Sequence, residues 1–338
     1  MQNFMSATVT SKSREPVNGV RELIRALTGL GISKRTVSDV LPVWWDDSIA
    51  EDPAGLVELK VILARRFSLD PKTLFGEGGQ VDYLPVVRRY KGGREDLIKK
   101  LGPSTGIASS LCRSALSFVG EQHLEDLKDP VALRESILAT GAANVGLVEL
   151  LNVCWRARIP VLHVSLPEKM NKFDALVTSH AGRYGVALCR NEDSEAWLAF
   201  HLAHELGHIA CGHLNDDGLL VDEQIKNSTA TEEQEANDYA TKLMGSAGIE
   251  PPQLSWKTAS VAPRFVAVAN DNRILPGHLV LKAAILGDFK CARALLKHIE
   301  PAPRARQLIN EYSAAELAPL WNYDAEEFIS QFFHKTGV

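Results

Sequence analysis

The stretch from Leu198 to His213 reads LAFHLAHELGHIACGH. Leu198, Ala199, Leu202, Leu206, Ile209 and Ala210 are core-type residues, yet His204, Glu205 and His208 stand among them. Ser194 supplies an N-cap, so the pattern predicts one long helix from there to about His213. At 3.6 residues per turn, residues four apart share a face, which brings His204 and His208 to one point. A buried helix does not carry two imidazoles and a carboxylate unless they are paired or bound to a cation. Neutral imidazole suits zinc, and HExxH at this spacing predicts His204 and His208 as metal ligands. Glu205, one residue round from His204, is positioned to take a proton from water on the metal, which makes it the expected catalytic base.

A catalytic zinc keeps three protein ligands and one open position. The extended pattern HExxHxxGxxH does not apply, because Gly212 and His213 each fall one residue off it. The alternative source is a later helix, predicted over Thr229 to Met244, whose acidic start offers Glu232, Glu233 and Glu235. Its apolar face runs through Ala236, Tyr239, Ala240 and Leu243. Glu235 precedes Ala236 and lies four residues before Tyr239, at the edge of that face. It is the preferred third ligand, with Glu232 a near alternative and Glu233 expected to point elsewhere.

The segment AWLAFHLAHELGHIACGHL, followed by EEQEANDYATKLM, resembles the ImmA/IrrE family of metallopeptidases over roughly residues 140 to 250. The resemblance implies a small zincin-like α+β domain with a His, His, Glu metal site. In that family the third ligand is the Glu of an E-A-N-x-[FY]-A motif, which falls on Glu235 here. It also implies a protein substrate, a helix-turn-helix repressor or an antitoxin, cleaved under stress or during mobile-element induction.

Several neighbours are open to two readings. His201, one turn before His204, is either a group behind the metal ligands or a capped surface histidine. Cys211 could ligate or block the metal, or be a small buried apolar residue. Tyr239, on the apolar face of the later helix, could stand behind the metal ligands or line the substrate cleft. His213 suits a helix end, where its charge complements the dipole. His180 and Arg183, on a hairpin predicted around Ala181-Gly182, could flank a substrate cleft or be plain turn residues. The strand Tyr184 to Leu188 is expected at a sheet edge, able to pair with an extended peptide.

The 338 residues are 45% hydrophobic with a net charge of -5, which is ordinary for a folded chain and does not mark the whole of it as a nucleic-acid binder. The five scattered cysteines form no CxxC pair and read as free thiols of a reducing compartment. The first residues lack the apolar stretch of a signal peptide, and no segment approaches ~18 unbroken apolar residues. The expectation is a cytoplasmic protein without membrane contact. Its expected class is α+β: a mainly helical multidomain chain whose peptidase domain contains a small β-sheet. Pro and Gly punctuation divides it into a flexible tail at 1–16, a helical module at 17–78, a basic helical linker at 79–130, the metal domain at 131–260 and a helical module at 261–338.

The first module resembles, more weakly, an Xre-type helix-turn-helix. GISKRTVSDVL is similar to its recognition helix, with Ser33, Lys34, Arg35, Thr36 and Ser38 available for DNA contacts. The Trp44-Trp45-Asp46-Asp47 insertion departs from that pattern, and a partner-docking or signal-sensing module is the competing reading. The last module reads only as a helical cap or a dimerisation element.

Overall fold

A computed structural model of the protein describes residues 19–76, 80–85, 87–90, 95–166, 170–214, 217–222, 231–285, 287–300, 302 and 304–317. The expected tail, Gly78 and Gly79 of the first boundary, Lys91 and Arg94 of the basic run, and the chain after 317 lie outside these residues. The protein divides into two compact units, Met1–Pro85 and Val86–Val338.

The first unit is helical. α1 (Val20–Gly29) buries Leu23 and Leu27 and stops where Gly31 takes a left-handed φ of 86°. Ser33 then caps α2 (Lys34–Val40), its Oγ accepting the Thr36 N–H. The Trp44-Trp45-Asp46-Asp47 segment leads into a short 3-10 turn over Asp47–Glu51. α3 (Pro53–Phe67) and α4 (Pro71–Phe75) follow, each with proline in its first turn behind an Asp cap. Leu23, Leu27, Ile32, Leu59, Leu63, Phe67 and Leu74 are all buried in this unit.

The second unit combines helices with a five-stranded mixed sheet. It begins with β1 (Val87–Tyr90) and α5 (Glu95–Leu116), and continues with α6 (Pro130–Ala139), α7 (Leu147–Arg156) and β2 (Val161–His163). The hairpin of β3 (Ala175–His180) and β4 (Arg183–Leu188) precedes α8 (Glu195–Ala210), β5 (Gly218–Asp222) and α9 (Thr231–Leu243). Four helices close the described chain: α10 (Thr258–Asp271), α11 (Pro276–Ile285), α12 (Phe289–Ile299) and α13 (Ala305–Leu317). The strand order is β1-β5-β3-β4-β2, with β3 antiparallel to β4 and β5, and β1 and β2 parallel to their neighbours. Ala175 to Ser179 are buried without alternation, so both faces of the sheet are covered. α5 and α8 both pack on β3 and β4. The mainly helical α+β expectation agrees with this architecture. Among the described residues no helix is long and apolar enough to cross a membrane.

Two expectations are corrected. Residues 79–130 are not a linker: they supply β1 and α5, and α5 is buried from Leu101 to Cys112. β5 has no counterpart among the expected elements, because one five-residue strand behind Asp-Asp-Gly carries too few alternations to register. β4 is not an edge, since it lies between β3 and β2. The outer edge of β2 is itself occupied. His163 N–H donates to Asn310 Oδ1 at 3.1 Å, and Ser313 Oγ donates to the Val161 carbonyl at 2.6 Å. The polar face of α13 thus closes a strand that would otherwise be open to pairing.

The two-residue turn between β3 and β4 places Ala181 at φ 50° and Gly182 at φ 69°, the signs a type I′ turn requires. Alanine is strained there. Ala181→Gly is expected to stabilise the fold by about 1 kcal/mol in urea denaturation; a lower midpoint would contradict the strain. His163 is buried, and desolvation holds its pKa down at about 4, from 6.5. The unfolded chain therefore takes up this proton first as pH falls. Stability present above pH 6.5 should drain toward pH 4, by on the order of 2 kcal/mol between pH 7 and 5. His163→Gln should flatten that slope in melts across the same range, and an unchanged slope would remove His163 as its source.

Candidate metal centre

α8 is held firmly at its N-terminus. Ser194 Oγ accepts the Trp197 N–H, and the Glu195 and Ala196 N–H groups donate to Glu300 Oε2 and Oε1 at 3.1 and 3.0 Å. A carboxylate from the end of α12 thus sits on the positive end of the helix. α11 and α13 also pack on α8, so the C-terminal helices are a cap on this element. Between its ends α8 is buried from Leu198 to Ile209, with His204, Glu205 and His208 all at 0% exposure.

α9 crosses α8 at Gly207. A Cβ at Gly207 would lie 2.9 Å from both Ala236 Cα and the Ala236 carbonyl oxygen, and 3.1 Å from Tyr239 Cβ. Only glycine permits this approach. It brings Glu233, on the first turn of α9, against the two histidines.

The resulting distances are specific. His204 Nε2 and His208 Nε2 are 3.1 Å apart. Glu233 Oε2 is 3.6 Å from His204 Nε2, and Glu233 Oε1 is 3.5 Å from His208 Nε2. Those carboxylate distances exceed the usual ~2.7–3.2 Å of an N–H···O bond. They are near the ~3.3 Å between two ligand atoms of a tetrahedral zinc held at ~2.0–2.1 Å, with each imidazole nearest a different oxygen of the carboxylate. His204, His208 and Glu233 form a buried group whose donor atoms all lie within 4.8 Å of one another. Two imidazoles and a carboxylate gathered out of water fit a divalent cation. Three donors, rather than four, are brought together among the described residues, which is the ligand number of an open site.

Glu235 does not join this group. Its side chain is half exposed and its Oε2 lies 2.8 Å from His213 Nε2. Helix geometry explains the exchange. Glu233 lies three residues before Ala236 and seven before Ala240, both fully buried, so it shares their face. Glu235 is two residues further on, ~200° round the helix. The expectation put Glu235 at the edge of the buried face through its spacing from Ala236 and Tyr239, whereas the side that meets the histidines is the one lined by the two alanines. The signal that could have found Glu233 is the i, i+3, i+7 stripe centred on the smallest residues.

The remaining predicted residues are placed as follows. His201 is buried, not on the surface; its ring stacks on Trp197 and its Nε2 is 3.9 Å from Asp174 Oδ2. Asp174 in turn pairs with Arg190 at 2.6 Å. Cys211 is exposed, and partial burial together with Glu235 and Asp238 pushes its thiol pKa up, away from a ligating thiolate. Tyr239 is buried with its hydroxyl committed to the Leu127 carbonyl at 2.6 Å. His180 is exposed beside Asp217 at 3.1 Å. Arg183 ties the hairpin to the end of α5 by donating to the Leu116 and Val119 carbonyls. His213 is buried, with Nδ1 2.9 Å from His208 Nδ1, rather than standing free at the helix end.

Gly207→Ala tests the helix crossing. Intrinsic helix propensity alone would favour alanine by about 1 kcal/mol. The added methyl meets backbone, so α9 must shift and carry Glu233 out of range. At least tenfold weaker binding of a divalent metal is expected in a chelator competition; unchanged affinity would show that the crossing does not set the site.

No family model, no curated protein and no solved structure matches this chain.

Proposed function

We propose that this chain is a zinc-dependent endopeptidase of the zincin type. The observation that carries the reading is the convergence of His204 Nε2, His208 Nε2 and a Glu233 carboxylate at the separations of a shared tetrahedral cation. Zinc held there would supply Lewis acidity, acidifying water and polarising a peptide carbonyl. Glu205 follows His204 directly on α8 and is fully buried. From there it takes the proton from the attacking water and delivers it to the departing amine. The supporting context is that α8 is clamped at its N-terminus and packed between the sheet and α11, so the groups it carries are held in place before substrate arrives. The ImmA/IrrE-like motifs point to a specific intracellular protein as substrate, a helix-turn-helix repressor or an antitoxin.

A second reading draws on the first unit. α2 exposes Lys34, Arg35 and Ser38 while burying Val37, the arrangement of a helix that could meet phosphates. In that reading the chain is a DNA-binding regulator or toxin–antitoxin component and the zinc is structural or regulatory. It requires operator binding that weakens steeply with salt.

Glu205→Gln should keep its zinc yet cleave a cognate repressor ~10²–10⁴-fold more slowly, the usual contribution of a general base. His204→Ala should lose both zinc and cleavage. Equal cleavage by wild type and Glu205→Gln would remove Glu205 as the base.

A further inference from the structure

We infer that His213 and Glu235 form a relay behind the metal site that fixes the tautomer and ring orientation of His208, making them positioning residues for the metal. The inference rests on the zinc reading above and concerns atoms outside the three ligands.

The atom roles follow one another. To offer its Nε2 lone pair to a metal, His208 must carry its proton on Nδ1. That Nδ1 is 2.9 Å from His213 Nδ1. Two ring nitrogens at this distance need one donor and one acceptor, so His213 Nδ1 accepts and the His213 proton sits on Nε2. His213 Nε2 is 2.8 Å from Glu235 Oε2, and a carboxylate only accepts. Every proton therefore points outward, away from the metal. The reverse tautomers would set the His213 Nε2 lone pair against a carboxylate, or require a full charge on a ring that is 7% exposed. The relay agrees with one protonation pattern, and that pattern turns the His208 Nε2 lone pair toward the point it shares with His204 and Glu233.

The backbone builds this arrangement deliberately. Gly212 adopts a left-handed φ of 70° and ends α8 in a Schellman turn. Gly212 N–H donates to the Ile209 carbonyl at 3.1 Å, and His213 N–H donates to the His208 carbonyl at 3.0 Å. The turn folds His213 back over the last helical residue that carries a metal ligand. Such turns commonly close with an apolar contact between these two positions. Here a hydrogen bond between imidazoles takes its place. α9 supplies both carboxylates from one helical turn: Glu233 faces the metal and Glu235 faces His213.

Partners of this kind raise the basicity of a ligating histidine, and their loss typically weakens metal binding 10–100-fold. Glu235 is half exposed, so its charge is partly screened. The test is zinc affinity by chelator competition on the full chain for wild type, Glu235→Gln, His213→Leu and the double variant. His213→Leu should lose ~10–100-fold. Glu235→Gln, whose amide oxygen still accepts from His213, should lose several-fold. The double variant should be no weaker than His213→Leu, because Glu235 acts only through His213. Nitrogen-15 spectra of the zinc-loaded wild type should show His213 protonated at Nε2 and His208 at Nδ1. Wild-type affinity in both single variants, or additive losses, would overturn the relay while leaving the metal site in place. Failure of the wild type to bind zinc at all would overturn the metal site and the relay with it. If His213→Leu does not fold, Glu235→Gln on the surface and the tautomer spectra decide the question.

Discussion

The close approach of α8 and α9 at Gly207 governs the rest of the site. Two helices whose backbones touch at a glycine and an alanine are nearer than side-chain-mediated packing allows. That proximity lets a short glutamate on α9 reach the Nε2 atoms of two histidines on α8. A larger residue at either contact would separate the helices by more than the ligand set could bridge. The tolerance of a metal site is a few tenths of an ångström, so a packing contact sets the chemistry.

Holding α8 still is the task of the surrounding chain. Its sheet-facing side rests on β3 and β4, and its N-terminus is bound by Glu300 from the C-terminal helices. Burial raises the pKa of Glu300, and the backbone donors of α8 offset part of that cost. The segment beyond residue 260 is thus part of the framework of the metal helix. α13 covers the edge of β2, which leaves that edge without free backbone groups for a peptide. A substrate strand would have to dock elsewhere.

Glu233 and Glu235 show how two residues of one type on one turn acquire different roles. Each meets histidine, but one lies inside the α8–α9 contact and the other at its exposed margin. The inner carboxylate completes the group that could hold a cation. The outer one reaches the same site only through His213. Their separation by ~200° around α9 is the whole difference.

His204, Glu205 and His208 were legible from the chain alone because their relation is local: one helix, one repeat, one capping serine. The β3–β4 hairpin and the Ser194 cap were legible for the same reason, since each depends on residues within a few positions. Glu233 was not, because choosing among three glutamates required knowing which face of α9 meets α8, and that is set by a glycine 26 positions earlier. The strands β1 and β5 were hidden because each is too short to show a period and exists only by pairing with the other and with β3. His213 looked like a helix-end residue until the turn at Gly212 brought it back onto His208. Sequence determined which side chains could bind a metal. Tertiary packing decided which of them do meet, because ligand distances depend on how closely two helices approach, and no local pattern encodes that.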